Sequence, residues 1–301
     1  MIAGQFIYYG RDFVKICKLL GKDEEAKAAE KHISDMEQAV IKHGWDGEWY
    51  LRAYDHKSRP LGSHNCEDGK IFIESQAWCS MAQVGKDKDM PIKALDSAWK
   101  HLETPYGFVL VDPPYSRFDP EIGEIGSFLP GYKENGGVFC HNNPWLVCSE
   151  TIARRGDKAF EIYKKTAPAY IENISEIHRL EPYVYAQMVA VKPEYAKKTG
   201  EAKNSFLTGT AAWNFVAISQ FILGIRPDYD GLLIDPCCNH DMEFTVTRKF
   251  RGNTFIINVK NPNHVCCGVN SMTVDGKKVR GNLLKPTAVG DTHIVDIILG
   301  L

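Results

Sequence analysis

Apolar side chains return every three to four positions along residues 2–43. Phe6, Tyr9, Phe13, Ile16, Cys17 and Leu20 mark one stripe, and Ala29, Ile33, Met36 and Val40 mark a second. That period lines one face of an α-helix, and Gly21 and Gly44 stand where the two helices should stop. Similar patterns predict helices near 71–85, 90–103, 144–155, 157–166 and 205–223, with long loops at 44–70 and 104–143. After Leu223 the character changes. Segments 243–250 and 254–259 are rich in β-branched and aromatic residues and are split by Arg251-Gly252-Asn253. Asp275-Gly276 is a hairpin signal between Met272-Thr-Val and Lys278-Val, and 293–299 reads as a last strand. A run of helices followed by a run of strands predicts an α+β chain in two units, 1–223 and 224–301.

Composition narrows the function classes. With 301 residues, 44% hydrophobic and 25% charged, the chain has the make-up of an ordinary globular protein. A formal net charge of −2 leaves no electrostatic footprint for nucleic acid or an anionic membrane. No run approaches the ~20 apolar residues of a membrane span, and the first residues lack the layout of a signal peptide, so a cytoplasmic protein is expected. Nine cysteines include the adjacent pairs Cys237-Cys238 and Cys266-Cys267, neither with CxxC spacing. Placed on neighbouring strands the pairs could meet and hold a metal; as reduced, buried thiols they need none. No metal site is expected.

The chemistry concentrates in the segment Leu129-Pro-Gly-Tyr-Lys-Glu-Asn-Gly-Gly-Val-Phe-Cys-His-Asn-Asn-Pro-Trp145. Lys133, Glu134 and Asn135 match the donors and acceptors of a polyhydroxylated substrate. Gly136 and Gly137 would let backbone approach a ligand, and His141 can hold an anion or move a proton. Thr208-Gly209-Thr210 directly precedes a helical apolar run, so Thr208 reads either as an N-cap or as part of an anion site at a helix start. Arg52 is free to reach a site or to pair with an acid. Trp45, Trp49 and Tyr50 read equally as core aromatics, Glu67 and Glu74 bracket a helix start, and Asp112-Pro-Pro-Tyr115 is turn chemistry.

Lys133-Glu-Asn-Gly-Gly-Val-Phe-Cys-His141 resembles the signature of the disaccharide phosphorylases of glycoside hydrolase family 94. The resemblance continues through Gly44-Trp-Asp-Gly-Glu-Trp-Tyr-Leu-Arg-Ala53, Ile71-Phe-Ile-Glu-Ser-Gln-Ala-Trp78, Tyr185-Ala-Gln187 and Leu207-Thr-Gly-Thr-Ala-Ala-Trp213. It implies the C-terminal half of an (α/α)6 barrel followed by a small antiparallel, jelly-roll-like β-sandwich. It also implies inverting phosphorolysis of a β-glucoside, cellobiose first, with inorganic phosphate as co-substrate, no further cofactor, and a homodimer in the full-length form. His141, Thr208 and Gly209 would hold phosphate. Gln187 would border the sugar–phosphate junction, and Lys133 and Glu134 would bind the leaving glucose.

The general acid of the family is an Asp in an Asp-Trp-Asn-Asp motif, expected upstream of Met1, because no such motif occurs in these residues. No catalytic residue is therefore assigned within the chain, which is expected to be inactive alone and to leave the apolar face of its first helix without barrel partners. Glu134 is the in-chain carboxylate best placed to mimic the acid. A related (α/α)6 hydrolase, a chitobiose or cellodextrin phosphorylase, and a non-catalytic carbohydrate-binding remnant are the alternatives.

Overall fold

A computed structural model describes residues 1–191, 199–285 and 289–300. Helix α1 (Ile2–Leu19) turns at Gly21 into α2 (Asp23–His43). Asp23, Glu24 and Glu25 in the first turn of α2, and Lys42 and His43 in its last, complement the helix dipole. Then come α3 (Ile73–Met81), α4 (Met90–Leu102), α5 (Asn143–Ile152) and α6 (Gly156–Thr166). The single turn α7 (Ser175–His178) precedes α8 (Thr210–Val216), which runs on as a π-turn over Ala217–Ile222.

These helices pack in two rows. α1 touches α2 and α3, α3 touches α4 and α5, and α5 touches α6 and the α8 segment. The inner row is thus α1, α3, α5 and α8, with α2, α4 and α6 behind it. Every residue of α3 is buried, and so is all of α5 except Ile152, as expected of helices enclosed on all sides. Gln76 of α3 fastens the loop before it, accepting from the Tyr50 N–H at 2.8 Å and donating to the Tyr50 carbonyl at 2.9 Å.

The stripe that marked α1 as a helix faces outward. Ile7, Val14 and Cys17 are buried, whereas Phe6, Tyr9 and Phe13 are 44%, 50% and 52% exposed. The expectation of an uncovered apolar face is met.

The helices end at Ile222, and the strands longer than two residues begin at Ile225. Ile225–Asp228, Gly231–Ile234 and Leu283–Leu284 make a small sheet. A five-stranded sheet follows in the order Phe244–Phe250, Asn253–Lys260, Thr292–Leu299, Val269–Val274, Lys277–Val279. The expectation of a purely antiparallel sheet needs correction, because Asn253–Lys260 and Thr292–Leu299 run parallel. Parallel neighbours need a long crossover. The chain between them supplies it, spending its length on the Val269–Val279 hairpin and on the strand given to the smaller sheet. Phe255, Ile257, Val259, Val295, Ile297 and Leu299 bury one face. The other face is open and carries a polar ladder in which Thr245 donates to Asn258 and Asn258 to Asp296, each at 3.0 Å. One apolar core runs without a break from Trp49 and Trp78 among the helices to Ile297 and Leu299 in the sheet.

Close approach of α1 and α3 depends on Gly4, where an added Cβ would lie 2.7 Å from the Trp78 carbonyl carbon. Gly4→Ala should therefore cost about 1–3 kcal/mol in thermal unfolding. Gly10→Ala should stay within about 1 kcal/mol, since the Ile33 side chain it meets at 3.0 Å can yield and Ala favours the helix. Equal losses at the two positions would contradict this packing.

Candidate active site

Three two-residue strands build the floor of the site. Val138–Phe139 pairs with Met188–Val189, which pairs with Ala202–Lys203. The Cys140 N–H donates to the Gln187 carbonyl at 2.8 Å, so the turn carrying His141 is fixed beside Gln187. The Gln187 side chain accepts from Asn204 Nδ2 at 2.7 Å. One step further, Thr210 Oγ1 donates to the Ala186 carbonyl at 3.3 Å, which fastens the start of α8 to the same sheet. A Cβ built on Gly209 would lie 4.0 Å from His141 Cβ. Gln187, His141, Thr208 and Gly209 therefore converge on one place.

Beneath them lies an aromatic cluster that the sequence reading missed. Trp78 of α3, Trp145 of α5 and Trp213 of α8 meet with ring centroids 5.4–5.9 Å apart. Trp145 in turn meets the His141 ring edge-on at 5.1 Å, and Phe139 meets it from another side at 4.9 Å. Burial among these rings holds the His141 pKa below its ordinary value and favours the neutral imidazole.

Gly209 and Thr208 have distinct properties. Gly209 has φ −78° and ψ 0°, and a Cβ there would touch nothing closer than 4.0 Å. Neither backbone strain nor crowding requires glycine, so the open space beside it is available to a ligand. Thr208 Oγ1 accepts from the Thr210 N–H at 3.1 Å and shares a 2.6 Å hydrogen bond with Thr210 Oγ1. The N-cap position itself falls to Gly209, so Thr208 braces the turn before α8 and does not cap the helix. A hydroxyl has one proton, so Thr208 can donate to an anion only when Thr210 turns its proton from the Ala186 carbonyl to Thr208.

Lys133 and Glu134 sit on a turn closed by the bridge of Tyr132 with Asn135, joined to the same sheet by the Val191 N–H on the Gly131 carbonyl at 3.1 Å. Lys133 Nζ lies 4.8 Å from the centre of the Phe128 ring. Glu134 Oε2 is buried and has no hydrogen-bond partner among the described residues. Two readings of this segment change. Asn135 is fully buried and its amide is consumed by Tyr115 N–H, Tyr115 O and Phe128 O at 2.6–2.9 Å, so it braces loops and does not face a ligand. Gly136 and Gly137 answer to packing, because a Cβ at either would come within 2.7 Å of Pro114 Cβ or the Lys133 carbonyl oxygen.

Near this turn, Arg52 Nη2 pairs with the buried Glu74 at 3.5 Å. Burial raises the Glu74 pKa, Arg52 opposes that rise and Glu134 adds to it. Elsewhere, Tyr183 and Phe206 are 81% and 78% exposed, each with φ +63°. Exposed aromatics held in the left-handed region mark strained backbone of the kind found at ligand sites. A groove of about 560 Å³ between α1, α8 and the first strands, lined by Tyr8, Asp12, Trp213 and Arg226, lies apart from all six candidates. Among the described residues no group of three or more His, Cys, Asp or Glu side chains is placed to hold a metal.

Comparison with known proteins decides the family. Residues 1–224 match the catalytic domain of the glycosyl hydrolase 94 superfamily. The chain belongs to that family. It is 34% identical to a solabiose phosphorylase of Paenibacillus borealis over 87% of its own length and 34% of that protein's. It is 33% identical to an N,N'-diacetylchitobiose phosphorylase of Vibrio proteolyticus over 96% and 36%. A cellobionic acid phosphorylase of Neurospora crassa is 27% identical over 89% and 34%. The chain thus spans about a third of the curated relatives it matches. Among solved structures, a sialidase shares the fold with a TM-score of 0.54 at 11% identity, over 78% of this chain and 21% of that one. The family match and the mixture of helices and strands fit an α+β fold. Among the described residues no helix is long and apolar enough to cross a membrane.

His141 gives the first test. An anion beside an imidazole favours the protonated form. In NMR titrations the His141 midpoint should lie below the ordinary histidine value without phosphate and rise when phosphate is added. His178, also depressed by burial, should not move. Equal shifts at both, or none at His141, would remove it from the anion site.

Proposed function

We propose that this chain supplies the phosphate cradle and the leaving-sugar wall of an inverting β-glucoside phosphorylase, which converts cellobiose and phosphate into α-glucose 1-phosphate and glucose. The observation that carries the proposal is the meeting of His141 with Gly209, an unstrained and uncrowded glycine at the start of α8. Phosphate would accept from the Gly209 N–H, the Thr208 hydroxyl and the His141 ring, with the positive end of the α8 segment behind it. Gln187 would border the junction with the sugar. Lys133 and Glu134 would hold the departing glucose, and Tyr183 and Phe206 offer flat apolar faces to a pyranose ring. The two helical rows are read as half of an (α/α)6 barrel, and the whole enzyme as a homodimer.

Because phosphate is the nucleophile, the reaction needs a single carboxylic acid to protonate the departing oxygen. The Asp-Trp-Asn-Asp motif that carries it in the family is absent from these 301 residues. The acid would come from the part of the catalytic unit that lies outside the third of the relatives' length spanned here. The names of those relatives differ in the disaccharide, so the identity of the sugars is the finer part of the proposal.

Gly209→Ala separates a binding role from a folding role. Its stability should stay within about 0.5 kcal/mol of the parent, since the added methyl meets no atom closer than 4.0 Å. In the complete enzyme it should raise the KM for phosphate roughly tenfold or more, a loss of about 1.4 kcal/mol, while the KM for cellobiose changes little. The isolated chain should release no glucose 1-phosphate, because a positioned general acid contributes about 10²–10⁴-fold. Release at the rate of a complete enzyme would make an in-chain carboxylate, Glu134 first, the acid.

A further inference from the structure

The two cysteine pairs take no part in the proposed reaction, yet the fold brings them together. Cys237 follows the strand Gly231–Ile234, Cys267 precedes Val269–Val274, and the two face each other in an antiparallel bridge. The Cys238 N–H donates to the Cys266 carbonyl at 2.9 Å. That bond makes Cys237 and Cys267 a non-hydrogen-bonded pair, a register in which Cα atoms lie about 4.5 Å apart with side chains on one face. A disulfide spans Cα separations of about 4.4–6.8 Å, so this register accepts one without backbone movement.

The surroundings assign the roles. All nine cysteines are free thiols. Cys237 is buried at 1% exposure, and burial raises its pKa. Cys267 is partly exposed, and its thiol donates to the Arg154 carbonyl at 4.0 Å. Cys266 is engaged by the Asp157 carboxylate, which leaves the Cys238–Cys266 pair less free to react. The location also matters. The Cys237 N–H donates to the Ile222 carbonyl at the end of the α8 segment at 3.0 Å. A Cβ on Gly156, at the start of α6, would lie 2.2 Å from the Cys238 carbonyl oxygen. Helices and sheets are joined at this point.

We propose that Cys237 and Cys267 are a site of reversible two-electron oxidation, closing to an intramolecular disulfide with a hydroperoxide as oxidant. The Cys267 thiolate attacks a peroxide oxygen, the O–O bond breaks, and with hydrogen peroxide one water leaves as Cys267 becomes a sulfenic acid. The Cys237 sulfur then attacks the Cys267 sulfur. The S–S bond forms, the S–O bond breaks, and a second water departs with the Cys237 proton. Two thiols give up two electrons and two protons, and peroxide is reduced to two waters. The inference is independent of the phosphorylase reading.

The test is mild hydrogen peroxide treatment of the folded chain, followed by non-reducing peptide mapping and thermal unfolding. One cross-link, Cys237 to Cys267, should appear with a loss of two hydrogen masses. It closes a loop of about 30 residues, so the Tm should rise by roughly 5 °C and fall back with dithiothreitol. Cys267→Ser, at the partly exposed position, should abolish both effects, and Cys66→Ser should abolish neither. A cross-link between other cysteines, sulfinic acid at Cys267 without a cross-link, or seven or more thiols of the oxidised native chain remaining with Cys237 and Cys267 among them would overturn the assignment.

Discussion

Three indoles hold the helical part of this protein in register. Trp78, Trp145 and Trp213 come from three successive members of the inner row, and each touches the other two. Aromatic pairs of this kind contribute about 0.5–1.5 kcal/mol each beyond the area they bury. Their larger effect is geometric. Trp78 is pressed by Gly4 of α1 on one side, and Trp145 supports the His141 ring on the other. The position of the imidazole is thus set by packing that extends across four helices. Among the described residues the buried indole N–H groups of Trp78 and Trp145 have no partners, a cost of about 1–3 kcal/mol each that the close packing must offset.

The second determinant is backbone pairing on a small scale. Strands of only two residues bring Gln187 beside Cys140, and the Thr210 hydroxyl, donating to the Ala186 carbonyl, draws in the start of α8. None of these contacts is strong alone. Together they assemble a candidate anion site from segments almost 70 residues apart in sequence, with a half-buried imidazole on one side and an open glycine on the other. A neutral His is suited to donate one hydrogen bond to phosphate while the backbone N–H and hydroxyl supply the rest.

Much of this was legible in the sequence, for physical reasons. The helical period fixed α1 through α6 to within a few residues, and the motifs that carried the family resemblance are those that meet at the site. Other features were not legible. Two-residue strands have no period to detect. The parallel pairing of Asn253–Lys260 with Thr292–Leu299 depends on where an intervening hairpin is spent, which local pattern does not encode. Asn135, Gly136 and Gly137 look like ligand-facing residues in one dimension, and become braces once Tyr115, Phe128 and Pro114 are folded against them. The tryptophan cluster had a faint signal, since the motifs ending at Trp78, Trp145 and Trp213 each place an indole within a few residues of a helix start.

The central claim is that His141, Thr208 and Gly209 form an anion site in a phosphorylase scaffold. It is tested most directly by a crystal structure of the chain grown with phosphate or vanadate. One oxyanion is expected within hydrogen-bonding distance of the His141 ring, the Thr208 hydroxyl and the Gly209 N–H, with the Thr210 proton turned from the Ala186 carbonyl to Thr208. An oxyanion seated instead beside Lys15 and Arg226 in the groove next to Trp213, with the His141 and Gly209 cleft filled only by water, would contradict it.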